Sequence, residues 1–502
     1  MEELGKPAKD SLMSNNLSYS TQVYAALSAS LGALAIGSIM GYSSPTGPHL
    51  LSNSTGESLQ LSQTEYNWFS SSVNLGAAAG GLVGGLCINT LGRRGTMLAS
   101  VLPYLAGWVL VGCAQNFAMI LLGRLITGMC MGVTCVAVPT FIAEFSSANI
   151  RGTLGSGFQL MITVGVLYVY GLGPAVGNFR WLAVSCSFPI VLHMVMVYFT
   201  HESPSYLISK GRHEQAATAL QYYRGKHYNI EKELRQLQSY LEETQERKRS
   251  LADIMRPYNL RPFMICLMLL LSSQLCGVTP VIFNMGIIFK DAGVGLSEEV
   301  SEVVVSVVQV AVTGGASLLM DRAGRRIMLL LSAAIMAVSI VSLGVYFYLK
   351  EQDSVWAAET LDWLPLTSLI LFITAFSLGF GPVPWLMFGE LLPLEVKEAA
   401  GSFVSFFTRL AAFCITLVFV PLQTAMRDYG VYWLFGGVCL LALVFTFLLV
   451  PETNGKTLQE ITAHFGGPTT MSPCNMTHEA CVAGPVHNTS SGVDNKAYTD
   501  SV

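Results

Sequence analysis

Leu91-Gly92-Arg93-Arg94 is the stretch that decides the fold of this chain, because it returns as Ala323-Gly324-Arg325-Arg326. The two copies lie 232 residues apart (325 − 93) in a sequence of 502. Further residues follow each copy in the same order, namely Glu144 with Glu390, Arg151 with Lys397, and Glu202 with Glu452. An ordered repeat of this length predicts two halves with the same architecture.

The composition places the chain in a lipid bilayer. Hydrophobic residues make up 52% of the sequence, charged residues only 12%, and 47 positions are glycine. That leaves too little polar surface to cover a soluble globule. The formal net charge is −4, and the cations occur in short clusters rather than on one broad face. Nucleic acid is therefore not expected as a partner.

Apolar runs long enough to cross a bilayer, about 20 residues, recur from Val23 to Val450. The sequence predicts twelve spans, at 22–46, 66–90, 96–115, 118–142, 154–177, 181–200, 261–289, 300–320, 327–349, 364–388, 399–425 and 430–450. The predicted fold class is an all-α membrane protein with twelve transmembrane helices. The repeat divides these helices into two pseudo-symmetric halves of six, which are suited to alternating access by rocking.

Polar segments set the predicted domain boundaries. They give a leader at 1–21, a first six-helix half at 22–200, a linker with short helices at 201–256, a second half at 257–450 and a disordered tail at 451–502. In the linker, Ile230, Leu234, Leu237 and Leu241 recur at helical spacing among charges. This predicts an amphipathic helix packed under the membrane domain, with a lipid or calmodulin-like target as the alternative.

Cations in short loops predict the orientation, because Lys and Arg bias a loop toward the cytoplasm. With the amino terminus inside, the short inner loops hold Arg93, Arg94, Arg151, Arg322, Arg325, Arg326 and Lys397. Both termini and the linker are therefore expected in the cytoplasm. Asn53 begins the motif Asn53-Ser54-Thr55 in the first outer loop, which makes it a candidate glycosylation site; the alternative is an unused match.

The repeated charges lie at the predicted inner ends of helices and are Arg93, Arg94, Glu144, Arg151, Arg325, Arg326, Glu390 and Lys397. Opposite charges at this level could hold two rocking halves together while the outer side is open, and their separation would open the inside. We therefore predict an inner gate here. The alternative is that these residues only anchor the orientation, although carboxylates contribute little to that.

The chain resembles the sugar-porter branch of the major facilitator superfamily over nearly its whole length. The motifs that carry the resemblance are Gly92-Arg93-Arg94, Gly123-Arg124 with Gly128 and Gly132, Pro139 with Glu144 and Arg151-Gly152, Glu202-Ser203-Pro204, Asp321-Arg322-Ala323-Gly324-Arg325-Arg326, Gly381-Pro382-Val383-Pro384-Trp385 and Pro451-Glu452-Thr453. Each motif is weak alone, whereas the ordered set is specific. Within the branch, the chain is most similar to animal facilitative glucose transporters of the mainly intracellular class and to insect trehalose transporters.

The resemblance implies a solute site formed by Gln159, Gln274, Gln309 and Trp385, which stand where the family contacts sugar. A hydroxyl-rich ligand needs amide groups and an aromatic face, which agrees with this set. For a single amide, an interhelical hydrogen bond is the alternative.

Two departures from the family pattern add candidates. The family's glutamine pair, asparagine and two tyrosines of helix seven are replaced here by Ser273-Gln274, Thr279, Phe283 and Asn284. This alters the outer gate, and Thr279 and Asn284 become candidate site residues. In helix eleven, Arg409 follows Thr408 where the family has Asn-Trp. A charge within a membrane helix usually faces a cavity, so Arg409 is a candidate ligand for a negatively charged solute; the alternative is a bond to helix carbonyls or to inner-leaflet water.

The resemblance implies facilitated transport of hexose or a related sugar, and the residues favour uniport. The family's symporters carry a carboxylate shortly after the Gly-Tyr of helix one, whereas Ser43 follows Gly41-Tyr42 here. The alternatives are a disaccharide such as trehalose, an anionic sugar bound by Arg409, or a sensor that moves no solute. Enzyme motifs, metal-ligand spacing and phosphate loops are not recognisable, so neither enzyme activity nor a cofactor or metal is expected.

Partners and location follow from the same features. The expected partners are the sugar and the lipid bilayer, with a sorting factor or a PDZ-type groove at the tail, which ends in Asp500-Ser501-Val502. We expect a monomer in the plasma membrane, with endosomal or lysosomal membranes as the alternative.

Overall fold

The computed structural model describes residues 18–51, 59–147, 149–246, 257–293, 295–392 and 394–453, together with Glu460 and Phe465. These residues form helices joined by short turns, and no strand occurs among them. Asn53, the leader before residue 18 and nearly all of the tail after residue 453 lie outside the described residues. Glycosylation and tail disorder therefore stay predictions.

The helices of the first half are α1 (Ser20–Gly41), α2 (Ser43–Leu51), α3 (Gln63–Thr90), α4 (Arg93–Gly112), α5 (Phe117–Phe145), α6 (Arg151–Val176) and α7 (Phe179–Tyr198). The linker contains α8 (Pro204–Ser209), α9 (His213–Arg224) and α10 (Glu231–Glu246). The second half consists of α11 (Pro257–Leu275), α12 (Val278–Phe283), α13 (Met285–Ala292), α14 (Glu298–Ala323), α15 (Arg325–Gln352), α16 (Ser354–Thr360), α17 (Trp363–Leu378), α18 (Val383–Leu391) and α19 (Leu394–Leu449).

Eleven stretches in the described part of the chain are long and apolar enough to cross a membrane. The last of them, Ala400–Leu449, has 50 residues, and the backbone bends sharply inside it at Arg427 (φ 61°, ψ 169°). Because a span needs only about 20 residues, α19 is two spans joined at this bend. The prediction of twelve spans is thus confirmed.

Two helices that were predicted to be continuous are broken. The span at 261–289 divides at Gly277 (φ 88°), after which come the short helices α12 and α13. The span at 364–388 divides between α17 and α18, where Ser332 Oγ donates a hydrogen bond to Ala375 O at 2.7 Å. Broken helices at membrane depth need such partners, because lipid cannot satisfy a freed backbone group.

The linker is attached to the first half. Arg224, at the end of α9, is buried, and its Nη1 donates to Phe145 O at the end of α5 at 2.7 Å. Its Nη2 pairs with Glu233 of α10 at 2.6 Å. Leu234 and Leu237 of α10 then pack against the apolar cluster formed by α1, α5 and the linker. The spacing that predicted an amphipathic helix therefore falls on a helix that packs through its apolar side.

Each half has its own apolar core, and the core of the second half also takes in residues of the first half. The core of the second half includes Ile282 of α12 and Ile288 of α13. Val166 and Tyr170, which belong to α6 of the first half, are buried in that same core. The halves are therefore in close contact around the C-terminal part of α6.

Candidate functional site

A charge cluster lies where α4 begins. We call this end of the bundle the basic face, because it contains Arg93, Arg94, Arg325 and Arg326. The carboxylate of Glu202 accepts hydrogen bonds from the backbone N–H groups of Arg93 and Arg94, each at 3.0 Å. Glu144 pairs with Arg93 Nη2 at 2.7 Å and accepts a further bond from Ser203 Oγ. Glu202 thereby caps the positive end of the α4 dipole.

The second half contains the same network where α15 begins. Glu452 accepts from the backbone N–H groups of Arg325 and Arg326, each at 3.0 Å. Glu390 pairs with Arg325 Nη2 at 3.1 Å and accepts from Thr453 Oγ1 at 2.6 Å. The repeat in the sequence is therefore a repeat of one hydrogen-bond network.

The glycine of each copy is required by this geometry. Gly92 and Gly324 have φ values of 83° and 86°, in the left-handed region that suits glycine. A Cβ atom at either position would also collide with a carboxylate, that of Glu202 in the first half and that of Glu452 in the second. The capping carboxylate can approach the helix start only because no side chain stands there.

The ion pairs that the structure shows at the basic face each join charges of one half. Arg151 is exposed and donates to Ser146 O at 3.2 Å, again within the first half. The side chain of Lys397 lies outside the described part. The predicted clasp between the halves therefore stays a prediction for a conformation that is closed at this face.

The opposite end of the bundle, which we call the far face, is closed by hydrogen bonds between the halves. Ser44 Oγ in α2 donates to Glu302 Oε1 in α14 at 2.5 Å, and the backbone N–H of Gly286 donates to Ser44 Oγ at 2.8 Å. Tyr170 OH in α6 donates to Ile282 O in α12 at 2.7 Å. We call these contacts the far-face gate.

At the basic face the halves separate. The first residues of α6, including Arg151, Gly152 and Thr153, are exposed, whereas Tyr170 near its other end is 1% exposed. A Cβ atom at Gly152 would meet no atom within 4 Å. One helix thus runs from an open end to a closed end.

The halves also touch along two seams between these ends. Along one seam α3 packs on α19, where a Cβ at Gly81 would lie 3.4 Å from Ser405 Oγ. Along the other, α6 packs on α14, where a Cβ at Gly314 would lie 3.8 Å from Leu160 Cδ1. The bundle is therefore closed at the far face and at its sides, and opens toward the basic face.

Two of the predicted site residues are in contact. Thr279 Oγ1 donates to Gln274 Oε1 at 3.1 Å, across the break at Gly277. Gln274 Nε2 donates in turn to Ser273 Oγ at 3.2 Å. Gln274 is half-buried, so the amide that joins the two parts of the broken helix is also reachable by a ligand.

The other predicted site residues are placed separately. Asn284 is buried, and its Nδ2 donates to Pro280 O at 2.9 Å, so one of its two amide N–H groups is bonded to a carbonyl of α12. Gln309 is 6% exposed, Gln159 is half-buried and Trp385 is 41% exposed. Gln159 and Gln309 lie on α6 and α14, the two helices of one seam. The structure shows no hydrogen bond between the described side chains of these four residues.

Arg409 reaches the other half of the protein. Its Nη2 donates to Cys135 Sγ of α5 at 3.4 Å, and its side chain is half-buried. A thiol is a weak acceptor, whereas a guanidinium carries five N–H donors. The role of Arg409 as a solute ligand and its alternatives, a bond to helix carbonyls or to inner-leaflet water, stay predictions.

Arg124 is a second charge inside the membrane, and it is not among the predicted site residues. It is 0% exposed in α5, and its guanidinium donates to Ile39 O at 3.1 Å, Ser43 Oγ at 2.7 Å and Phe69 O at 3.4 Å. It therefore binds α1, α2 and α3 together just behind the far-face gate. The signal was an Arg within an apolar run, the same signal that pointed to Arg409. In the described part of the chain, His, Cys, Asp and Glu do not converge in a group of three or more that could hold a metal.

Comparisons with known proteins agree with this architecture. The family model described as sugar (and other) transporter matches residues 17–465. The facilitated trehalose transporter Tret1 of Apis mellifera ligustica is 34% identical over 475 residues, which cover 92% of this chain and 94% of that protein. Tret1 of Polypedilum vanderplanki is 36% identical over 445 residues, which cover 88% and 87%.

Two solved structures share the fold. The proton:xylose symporter XylE bound to 6-bromo-6-deoxy-D-glucose has a TM-score of 0.73 at 24% identity and covers 89% of this chain and 100% of its own. The inward open conformation of XylE from E. coli has a TM-score of 0.71 at 24% identity, with coverages of 88% and 98%. At this level of identity the likeness extends to the fold alone.

Proposed function

Because this chain belongs to the sugar (and other) transporter family, we propose that it is a uniporter that moves hexose or a related sugar such as trehalose by alternating access. It is a multi-pass membrane protein and not an enzyme. The observation that carries the proposal is the similarity to relatives named facilitated trehalose transporters, which extends over about nine-tenths of both chains. Two matching halves that meet at one face and separate at the other support the mechanism.

The conformation defines the direction of the proposed cycle. With the basic face toward the cytoplasm, as the loop cations predict, the structure is the inward-open state. Opening outward would break the far-face gate and bring the charge clusters of the two halves together, where Arg93, Arg325, Glu144 and Glu390 would exchange partners. The two proposed rocking units are residues 22–200 and residues 257–450.

We propose that sugar hydroxyls bind the amides of Gln159, Gln274 and Gln309, with Trp385 as the aromatic face and Thr279 and Asn284 at the outer limit of the site. Half-burial of Gln159 and Gln274 and the exposed ring of Trp385 support this assignment. An amide offers both a donor and an acceptor to a hydroxyl pair.

The proposed transporter has a defined orientation and location in the membrane. Both termini lie in the cytoplasm, Asn53 carries a glycan on the outer side, and the tail offers its last residues to a sorting or PDZ-type partner. The protein acts as a monomer in the plasma membrane, with endosomal or lysosomal membranes as the alternative. Protease protection and glycosidase treatment of the protein in cells would test the orientation and Asn53 together.

Uptake by proteoliposomes that contain the full-length chain tests the function. We expect labelled glucose or trehalose to equilibrate down its gradient without an imposed proton gradient. Q274A should lower uptake by about tenfold, the effect of losing one or two ligand hydrogen bonds. Q352A, at an exposed amide at the end of α15, should leave uptake unchanged. Accumulation of sugar driven by a proton gradient would refute uniport, and a chain that moves none of these sugars would be a sensor or a carrier of another solute.

A second candidate function rests on Arg409. Its single described partner is a thiol, so most of its donors are available to a carboxylate or phosphate on the solute. We propose that an anionic sugar such as glucuronate is the solute in this case. R409Q should abolish glucuronate uptake and spare glucose uptake, whereas R212Q, at an exposed linker position, should change neither. Equal uptake of glucuronate by the R409Q variant and the unmodified chain would exclude the ligand role.

A further inference from the structure

One carboxyl group is sealed inside the far-face gate. Glu302, in the second turn of α14, is 2% exposed. Its Oε1 accepts the hydroxyl hydrogen of Ser44, which lies in the other half, at 2.5 Å. The backbone N–H of Gly286 donates to the same hydroxyl at 2.8 Å, so the hydrogen of Ser44 is directed to Glu302. The carboxyl group is therefore part of the contact that closes the far face.

The site is shaped for this group. A Cβ atom at Gly286 would lie 2.6 Å from Glu302 Oε1 and 3.5 Å from Ser44 Oγ. Any residue larger than glycine at this position would push the carboxyl group away from Ser44. The close approach of α13 is thus part of the site.

The groups nearest to Glu302 provide no positive charge. From α3 and α6 the phenols of Tyr66 and Tyr170 face it, and both are fully buried. Its own helix adds Glu298 and Glu299, whose negative charges oppose an ionised Glu302. The carboxyl group therefore has the hydroxyl of Ser44 as its donor and is otherwise surrounded by neutral groups and by like charge.

The charged groups of the surrounding helices are either engaged elsewhere or exposed. The guanidinium of Arg124 is held by Ser43 and two carbonyl groups. Lys290 and Asp291 of α13 are exposed, and Lys350 of α15 donates to the carbonyl group of Asp291. Tyr346 of α15 donates to Ala292 O, and α17 contributes no titratable side chain. The ion pairs of the described residues do not include Glu302.

An ionised carboxylate is strongly disfavoured in such a place, whereas a neutral carboxylic acid is not. When the far face opens, water reaches the group and the charged form is favoured at neutral pH. We propose that Glu302 is a proton-binding site of the far-face gate: a proton on this carboxyl group stabilises the closed gate, and its loss promotes opening. Proton binding and gate closure then favour each other reciprocally.

The sign and size of the effect follow from one proton. The ratio of closed to open far face decreases as the pH rises, by at most about tenfold per pH unit. The proton enters and leaves on the far side, because closure seals Glu302 within the protein. The solute is thus still carried by uniport, and the pH on the far side sets how often the carrier opens to that side. This goes beyond the proposed sugar transport and does not depend on the identity of the solute.

Hydrogen exchange of the full-length protein in lipid nanodiscs tests the proposal, with peptides that cover residues 278–292 and 43–51. The unmodified chain and E302Q are compared at the same pH, from about pH 5.5 to about pH 8.5, so that the intrinsic pH dependence of exchange cancels. We expect the two proteins to be equally protected at the acidic end. The unmodified chain should lose protection progressively toward the alkaline end, while E302Q, which mimics the neutral acid, should stay protected.

Two further variants make the test specific. E299Q removes an exposed carboxylate of the same helix and should keep the pH response, shifted only slightly toward lower pH, because the lost charge opposed an ionised Glu302. S44A keeps the carboxyl group and removes its donor, so it should lower protection at every pH while retaining the pH dependence. S44A also keeps the proposal testable if E302Q does not fold. A constant difference between E302Q and the unmodified chain across the range would overturn the proposal, as would a pH response that is lost in E299Q or in S44A.

Discussion

The hydroxyl of Tyr170 offers a direct measure of what holds the far-face gate closed. Its bond to Ile282 O at 2.7 Å joins the halves and is fully buried. Y170F keeps the ring in the core of the second half and leaves one carbonyl acceptor without its donor. In the open gate the hydroxyl of Tyr170 and the carbonyl of Ile282 both bond to water. Losing their hydrogen bond therefore destabilises only the closed state.

The expected magnitude follows from that asymmetry. A buried hydrogen bond within a protein or a membrane is worth about 0.5 to 1.5 kcal/mol, which corresponds to about a twofold to twelvefold change in the ratio of closed to open gate. The matched control is Y168F, two residues away, because Tyr168 OH donates to Ser185 O at 3.0 Å within the first half. Y168F should change stability without changing the gate.

Hydrogen exchange of residues 278–292 measures this ratio when the gate recloses faster than an exposed amide exchanges its hydrogen. Y170F should lower protection there by the factor given above, and Y168F should leave it as it is. If both variants lower protection equally, the phenol of Tyr170 stabilises the fold in general, and the assignment of a gate is refuted. An unchanged Y170F protein would refute it as well.

Three further predictions concern the basic face and Arg124. G92A and G324A should each lower the free energy of unfolding by at least about 1 kcal/mol, because alanine disfavours the positive φ of these positions and its Cβ would meet a carboxylate. G152A, where a Cβ would meet no atom, should not lower it. Thermal melting in detergent measures these effects, and a G92A protein as stable as the unmodified chain would contradict the capping geometry. E202A and E452A should each lower the melting temperature by a similar amount, since each removes the acceptor of two backbone N–H groups at a helix start. The loss of such a cap costs about 1 to 2 kcal/mol. A lower melting temperature for only one of the two variants would show that the two networks are not equivalent. R124K should destabilise the first half more than R409K destabilises the second, because a lysine cannot reach three acceptors on three helices; equal melting temperatures would contradict the bracing role of Arg124.

Much of this architecture could be predicted from the chain alone. Runs of about 20 apolar residues predict membrane spans from composition alone. The repeat of Gly-Arg-Arg with its later Glu residues predicts two matching halves. The candidate site was less accessible. Gln274 and Thr279 are close in sequence and do touch, whereas the places of Gln159, Gln309 and Trp385 relative to one another depend on how whole helices pack.

The sequence by itself determined that the chain lies in a lipid bilayer, how many times it spans it, and that it has two matching halves. Each of these depends only on local composition and on the order of motifs along the chain. Only the tertiary structure decided that Arg93 pairs with Glu144 inside one half, that Arg409 reaches Cys135, and that Glu302, near a helix end, lies against Ser44. Ser44 and Glu302 are 258 residues apart, and no periodicity encodes such a contact. The physical reason is that a bond between halves depends on the conformation of the whole bundle, which neighbouring residues do not specify.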